Sequence, residues 1–218
     1  MKNVKLVIFD LDGTLLDTGE GILKCIASTL KKMGLLIPNE GACRSFVGPP
    51  LKKRFLELFD TGEETADEFV RIFREEYSKG DMFLARIYDG VVESLTSLHQ
   101  CCSLAVATNK REDYAVKILE KFGIAIFFDA ISGSDCFGTQ SKEQIVANAA
   151  RQVGALCEEC LMVGDSDNDA IASARLGIRF VGVTYGYGFK KDDEVRLFPH
   201  IGVLNSPLEI VEIVKNIV

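Results

Sequence analysis

The stretch Val4-Lys5-Leu6-Val7-Ile8-Phe9-Asp10-Leu11-Asp12-Gly13-Thr14-Leu15-Leu16-Asp17 decides the fold. Its opening is a compact apolar run, ended by an acid and soon after by a glycine. This reads as a strand buried on both faces, the habit of a parallel sheet. Two carboxylates, Asp10 and Asp12, stand two residues apart directly after it. Such a pair can hold a divalent cation, or divide the tasks of nucleophile and acid/base. A bare D-x-D before a glycine also suits a capped turn, in which Asp12 or Thr14 satisfies backbone N–H groups. The apolar strand in front favours the chemical reading.

Outward from that stretch, short apolar runs recur at Ser103–Thr108, Phe127–Ser132, Cys160–Gly164 and Arg179–Val183. Between them Asp113–Phe122, Glu143–Val153 and Asp169–Leu176 carry apolar residues at helical spacing. Strands alternating with helices predict an α/β fold, a Rossmann-like parallel sheet with helices on both faces. Ligands of such sheets bind at the carboxyl ends of the strands. The interval 17–86 breaks the alternation, with no second strand expected before about Ser103. Ile22, Cys25, Ile26, Thr29, Leu30 and Met33 share one helical face. Pro49–Phe59 and Asp67–Tyr77 make two further helices, with Gly41–Pro50 as a loop. Residues 17–86 are therefore expected to be an all-helical insertion, and 1–16 with 87–218 the α/β core.

Composition narrows the function. The 218 residues include 25 Lys and Arg against 32 Asp and Glu, for a net charge of -7. That balance argues against general nucleic-acid binding, which relies on basic patches. No apolar run approaches the ~20 residues that span a bilayer, and the first residues do not read as a secretory signal. The seven scattered cysteines suit reduced thiols in a cytoplasm better than a disulfide framework. Cys157 and Cys160 form a lone C-x-x-C and are expected to be free thiols. The two histidines, His99 and His200, lie outside every motif, which argues against a histidine zinc site.

Three further strings carry chemistry. In Val106-Ala107-Thr108-Asn109-Lys110 a hydroxyl and an amide stand where a strand gives way to a helix, which suits a phosphate or a plain helix cap. Lys142 opens the helix KEQIVANAA, against the helix dipole, and makes more sense with an anion to neutralise. In Val163-Gly164-Asp165-Ser166-Asp167-Asn168-Asp169, three acids follow a strand and start a helix. They suit a hard cation such as Mg²⁺, or helix capping. Taken in order, acids, Thr, Lys and acids stand at successive strand ends and would converge on one edge of the sheet.

With these four strings in place, the chain resembles the haloacid dehalogenase-superfamily phosphatases over essentially its whole length, and 17–86 resembles that family's small helical cap. The resemblance implies that Asp10 is the nucleophile that forms an aspartyl-phosphate. It implies that Asp12 protonates the leaving group and later activates water. Thr108 and Asn109 would bind the phosphoryl group, and Lys142 would neutralise charge on it and on Asp10. Mg²⁺ would be held by Asp10, the backbone carbonyl of Asp12 and Asp165, with Asp169 orienting Lys142 or the metal shell. Asp167 would be an exposed helix-start acid. The acid at Asp12 separates the chain from the dehalogenases, and the string around it from the ion-pumping ATPases.

Phe46–Leu51, Tyr88–Val91 and Ala105–Asn109 are similar to strings of phosphoglycolate phosphatase-like members. The expected substrate is a small phosphorylated metabolite. Pyrophosphatase, 5'-nucleotidase, sugar-phosphate mutase and a non-catalytic phosphate binder are the alternatives. In the insertion, Arg44, Lys52 and Arg54 are candidates for a substrate anion, or are solvated or pair with acids on a neighbouring helix, and Lys53 reads as solvated or paired. Phe137, Gln140 and Arg111 depart from the phosphoglycolate pattern without touching the catalytic set. Tyr185-Gly186-Tyr187-Gly188 reads as a plain glycine turn in preference to a flexible loop near the site rim.

Overall fold

The computed structural model describes residues 3–217. In chain order the elements are β1 (Leu6–Phe9), β2 (Leu16–Asp17), α1 (Gly19–Lys32), α2 (Glu40–Arg44), α3 (Leu51–Leu58), α4 (Glu63–Tyr77), β3 (Arg86–Ile87), α5 (Val91–Leu98), β4 (Ser103–Arg111), α6 (Glu112–Lys121), β5 (Ala130–Ser134), α7 (Lys142–Val153), β6 (Cys160–Gly164), α8 (Asp167–Leu176), β7 (Arg179–Val183), α9 (Asp192–Val195), β8 (Gly202–Leu204) and α10 (Glu209–Lys215). They divide into two compact units, Met1–Asp17 with Ile87–Val218 and Thr18–Arg86.

The first unit is built on a six-stranded sheet in the order β5-β4-β1-β6-β7-β8, parallel throughout. All four residues of β1 are buried, because it is central and covered on both faces. Leu6 and Ile8 share a core cluster with Ala105, Ala107 and Met162 of the sheet, Ile145, Val146 and Ala149 of α7, and Ala170 of α8. Phe9 and Val163 instead line a small cavity with Val91 and Leu95 of α5 and Ile210 of α10. The period-2 alternation of the strands thus serves two helical layers. The chain grows outward from β1 through β4 to β5, then returns to the other side of β1 for β6, β7 and β8. That reversal opens a crevice at the carboxyl ends of β4, β1 and β6.

The second unit is helical and has an aromatic core. Phe55 stacks on Phe69 at 4.4 Å, Phe46 lies 5.6 Å from Phe69, and Phe73 stacks on Tyr77 at 5.2 Å between ring centroids. Ile22, Cys25, Ile26, Thr29 and Leu30 of α1 are buried, as their spacing predicts.

Several elements differ from expectation. Gly41–Pro50 is not all loop. Asn39 accepts the Ala42 N–H at 2.9 Å and starts the short helix α2. The short strands β2 and β3 pair as a two-stranded ribbon before Ser103 is reached. α4 begins at Glu63, four residues before the expected start at Asp67. β5 starts at Ala130 rather than Phe127, because Ala125–Phe127 is a 3₁₀ turn and pairing begins beyond Asp129. No described helix is long and apolar enough to cross a membrane.

Candidate active site

The site is assembled at the carboxyl ends of the three central strands. Asp10 directly follows β1, and its N–H still donates to Val163 O of β6 at 2.9 Å. The chain then turns through Gly13, whose φ is 88°. A Cβ at this position would lie 2.3 Å from Asp165 Oδ2, so any side chain would displace that carboxylate. The glycine in the opening stretch thus has a second reason beyond the turn.

Lys142 is the first residue of α7, held in place by a capping box between Ser141 and Gln144. Its Nζ lies 2.5 Å from Asp10 Oδ1 and 2.8 Å from Asp169 Oδ1, and donates to Ala107 O at 2.8 Å. Two hydrogen-bond acceptors and the charge of Asp169 compensate a buried ammonium that the helix dipole opposes. Asp169 is fully buried and accepts the Ser166 N–H at 3.1 Å and the Ser166 hydroxyl at 2.6 Å through Oδ2. Asp165 Oδ2 accepts the N–H groups of Tyr187 at 2.6 Å and Gly188 at 2.9 Å. The Tyr185–Gly188 segment is therefore more than the plain turn expected. It wraps Asp165, the Tyr185 hydroxyl donates to Thr14 O at 3.0 Å, and the Tyr187 hydroxyl donates to Asp17. Its spaced glycines were the only signal, and they name no partner.

Thr108 is buried within β4, which runs on to Arg111 through a register shift rather than ending at Thr108. Its hydroxyl oxygen accepts the Lys110 N–H at 3.1 Å. The hydroxyl hydrogen is then directed elsewhere, as a phosphate donor requires. Asn109 is the next residue of the strand. Lys110, outside the expected set, brings its Nζ to 3.1 Å from Asp12 Oδ1, with both side chains 7% exposed. Asp167 is exposed. Arg44 and Lys52 belong to the helical unit and are ion-paired there. Arg44 holds Glu40, and Lys52 holds Glu63 and Asp67, all at 2.7 Å. Cys157 and Cys160 are free thiols.

The electrostatics show a shortage of positive charge. Burial, with the neighbouring carboxylates adding, raises Asp10 well above the ordinary carboxylate range while Lys142 pulls it back. Burial, with Asp169 adding, pushes Asp165 up to about 6. Burial would lower Lys142, but Asp10 and Asp169 outweigh it and hold its pKa above the usual value. Four buried carboxylates, Asp10, Asp12, Asp165 and Asp169, face two ammonium groups, Lys110 and Lys142, which leaves two negative charges. Asp10, Asp165 and Asp169 bring ligand oxygens within 4.8 Å of one another. An all-oxygen donor set short by two charges fits a hard divalent cation such as Mg²⁺.

The model of the haloacid dehalogenase-like hydrolases matches residues 7–183. Among curated relatives, the chain is 35% identical over 192 residues to a 5'-nucleotidase of Pseudomonas aeruginosa, covering 87% of this chain and 86% of that one. It is 32% identical over 197 residues to a phosphoglycolate phosphatase of Vibrio cholerae, covering 86% and 87%. It is 37% identical over 186 residues to the tyrosine-protein kinase PtkA of Mycobacterium tuberculosis, covering 84% of this chain and 63% of that one. Among solved structures, a predicted phosphatase from Clostridium acetobutylicum superposes with a TM-score of 0.92 at 33% identity, covering 99% of this chain and 100% of that one.

Proposed function

Because this chain belongs to the haloacid dehalogenase-like hydrolases, whose phosphatase members it resembles along its length, we propose that it is a Mg²⁺-dependent phosphatase of small phosphorylated metabolites. The reaction passes through an aspartyl-phosphate on Asp10. The observation that carries this reading is the convergence of Asp10, Asp165, Asp169 and Lys142 at one sheet edge.

Phosphoryl transfer asks mainly for positioning and charge neutralisation. Asp10 attacks phosphorus, and Lys142 offsets the like-charge repulsion between the carboxylate and the phosphate dianion. Thr108 and Asn109 donate to the phosphoryl oxygens. Asp12 gives a proton to the departing oxygen, then takes one from the water that hydrolyses the aspartyl-phosphate. Mg²⁺, held by Asp10, Asp165 and the Asp12 carbonyl with Asp169 beside them, would supply Lewis-acid stabilisation of phosphoryl charge. Phosphoglycolate-like substrates lead the reading, with pyrophosphate, nucleotides and sugar phosphates next. A cytoplasmic setting suits the free thiols.

The test is a phosphate-release screen over a metabolite panel, with Mg²⁺ and with EDTA, on the wild type and Asp10→Asn. Release should need Mg²⁺ and fall about 10³-fold or more in the variant. Substantial turnover by Asp10→Asn would remove it as nucleophile. Isomerisation without release would make the chain a mutase, and transfer of phosphate to tyrosine would align it with the kinase relative. No Mg²⁺-dependent release or transfer at all would leave a phosphate-binding protein.

A further inference from the structure

The two acids of the opening stretch each have a lysine. Lys142 serves Asp10 at 2.5 Å, and Lys110 stands 3.1 Å from Asp12 Oδ1. Lys110 lies in the part of β4 where the register with β5 shifts, between Ala107 and Arg111. Its backbone N–H donates to Thr108 Oγ1 at 3.1 Å, so one residue touches both the phosphate-binding hydroxyl and the acid/base. With 7% of its side chain exposed, Lys110 is not a solvated surface lysine. An ammonium held so far from water needs a carboxylate partner to offset its desolvation.

We propose that Lys110 is a positioning residue for the acid/base: it fixes the Asp12 carboxyl group so that the proton moves between Asp12 and the departing oxygen, and orients Thr108 through the same turn. The proposal rests on the acid/base reading of Asp12 given above. It divides the charge of the site between two jobs. Lys142 manages the nucleophile and the phosphate, and Lys110 manages the group that meets the leaving oxygen. Replacing Lys110 should then hurt most where the leaving group most needs a proton.

The test uses the whole protein with Mg²⁺ and a series of ring-substituted phenyl phosphates, whose leaving phenols differ in acidity but not in size class. The readout is kcat/KM, which covers the steps up to aspartyl-phosphate formation. Asp12→Asn should lower the ratio of phenyl phosphate to p-nitrophenyl phosphate kcat/KM about 100-fold, the scale of a lost general acid. Lys110→Met should lower the same ratio about tenfold, with Lys110→Gln as the second variant should the first not fold. A purely structural role would lower both substrates together and leave the ratio unchanged. An unchanged ratio in both folded Lys110 variants, beside a fall in Asp12→Asn, overturns the role of Lys110 alone. An unchanged ratio in Asp12→Asn overturns the acid/base reading and this inference with it.

Discussion

At the scale of single residues, Lys142 shows how burial turns an ordinary side chain into a site. Its Nζ bridges Asp10 and Asp169 with almost no water around it. Lys142→Met keeps the shape and removes the charge that faces Asp10 and Asp169. Phosphate release should fall about 100-fold or more, with thermal melting showing that the fold survives. Near wild-type turnover by a folded Lys142→Met would show that Asp10 needs no lysine. The positions of Asp10, Lys142, Asp165 and Asp169 were legible in the sequence because each follows a strand or lies in the first turn of a helix. Lys110 was not, because its place in a Thr-Asn-Lys string does not say where a four-carbon side chain turns. The N–H groups that hold Asp165 were hidden for the same reason, since a backbone donor leaves no mark in the residue type.

At the scale of elements, strands and helices with strong apolar periodicity were legible, and β6 and β7 match their expected bounds. The boundaries that moved are those set by long-range partners. β5 begins only where Asp129 meets β4, its N–H donating to Leu104 O at 2.8 Å and its carboxylate accepting the Leu104 N–H at 3.1 Å. The β5–α6 contact is tight as well. Gly133 N donates to Glu112 Oε2 at 3.1 Å, and a Cβ on Gly133 would sit 2.5 Å from Glu112 Cα and 2.7 Å from Lys110 O. These are backbone atoms that cannot swing aside. Gly133→Ala should therefore cost about 1–3 kcal/mol in urea unfolding. A variant as stable as wild type would mean that β5 and α6 separate easily.

At the scale of the whole molecule, the sequence separates an α/β part, where short apolar runs alternate with helical spacing, from 17–86, where helical spacing alone recurs. The acids that Arg44 and Lys52 hold in the helical unit are exposed, so water and salt screen these ion pairs and they contribute little to stability. If the helical unit selects the substrate, Arg44→Ala or Lys52→Ala should shift kcat/KM among metabolites severalfold more than on p-nitrophenyl phosphate. Equal losses on both kinds of substrate would deny these residues a part in selectivity.

The strand order has a consequence for synthesis. β1 leaves the ribosome well before its neighbours β4 and β6, which begin at Ser103 and Cys160. At roughly 5–20 residues per second, about 8 to 30 s separate the emergence of Phe9 from that of Cys160. Until β4 emerges, this segment of Leu, Val, Ile and Phe has both edges unpaired, and until β6 emerges it still has one. It is a template for unwanted pairing with other chains, which chaperones bound to the growing polypeptide would have to shield.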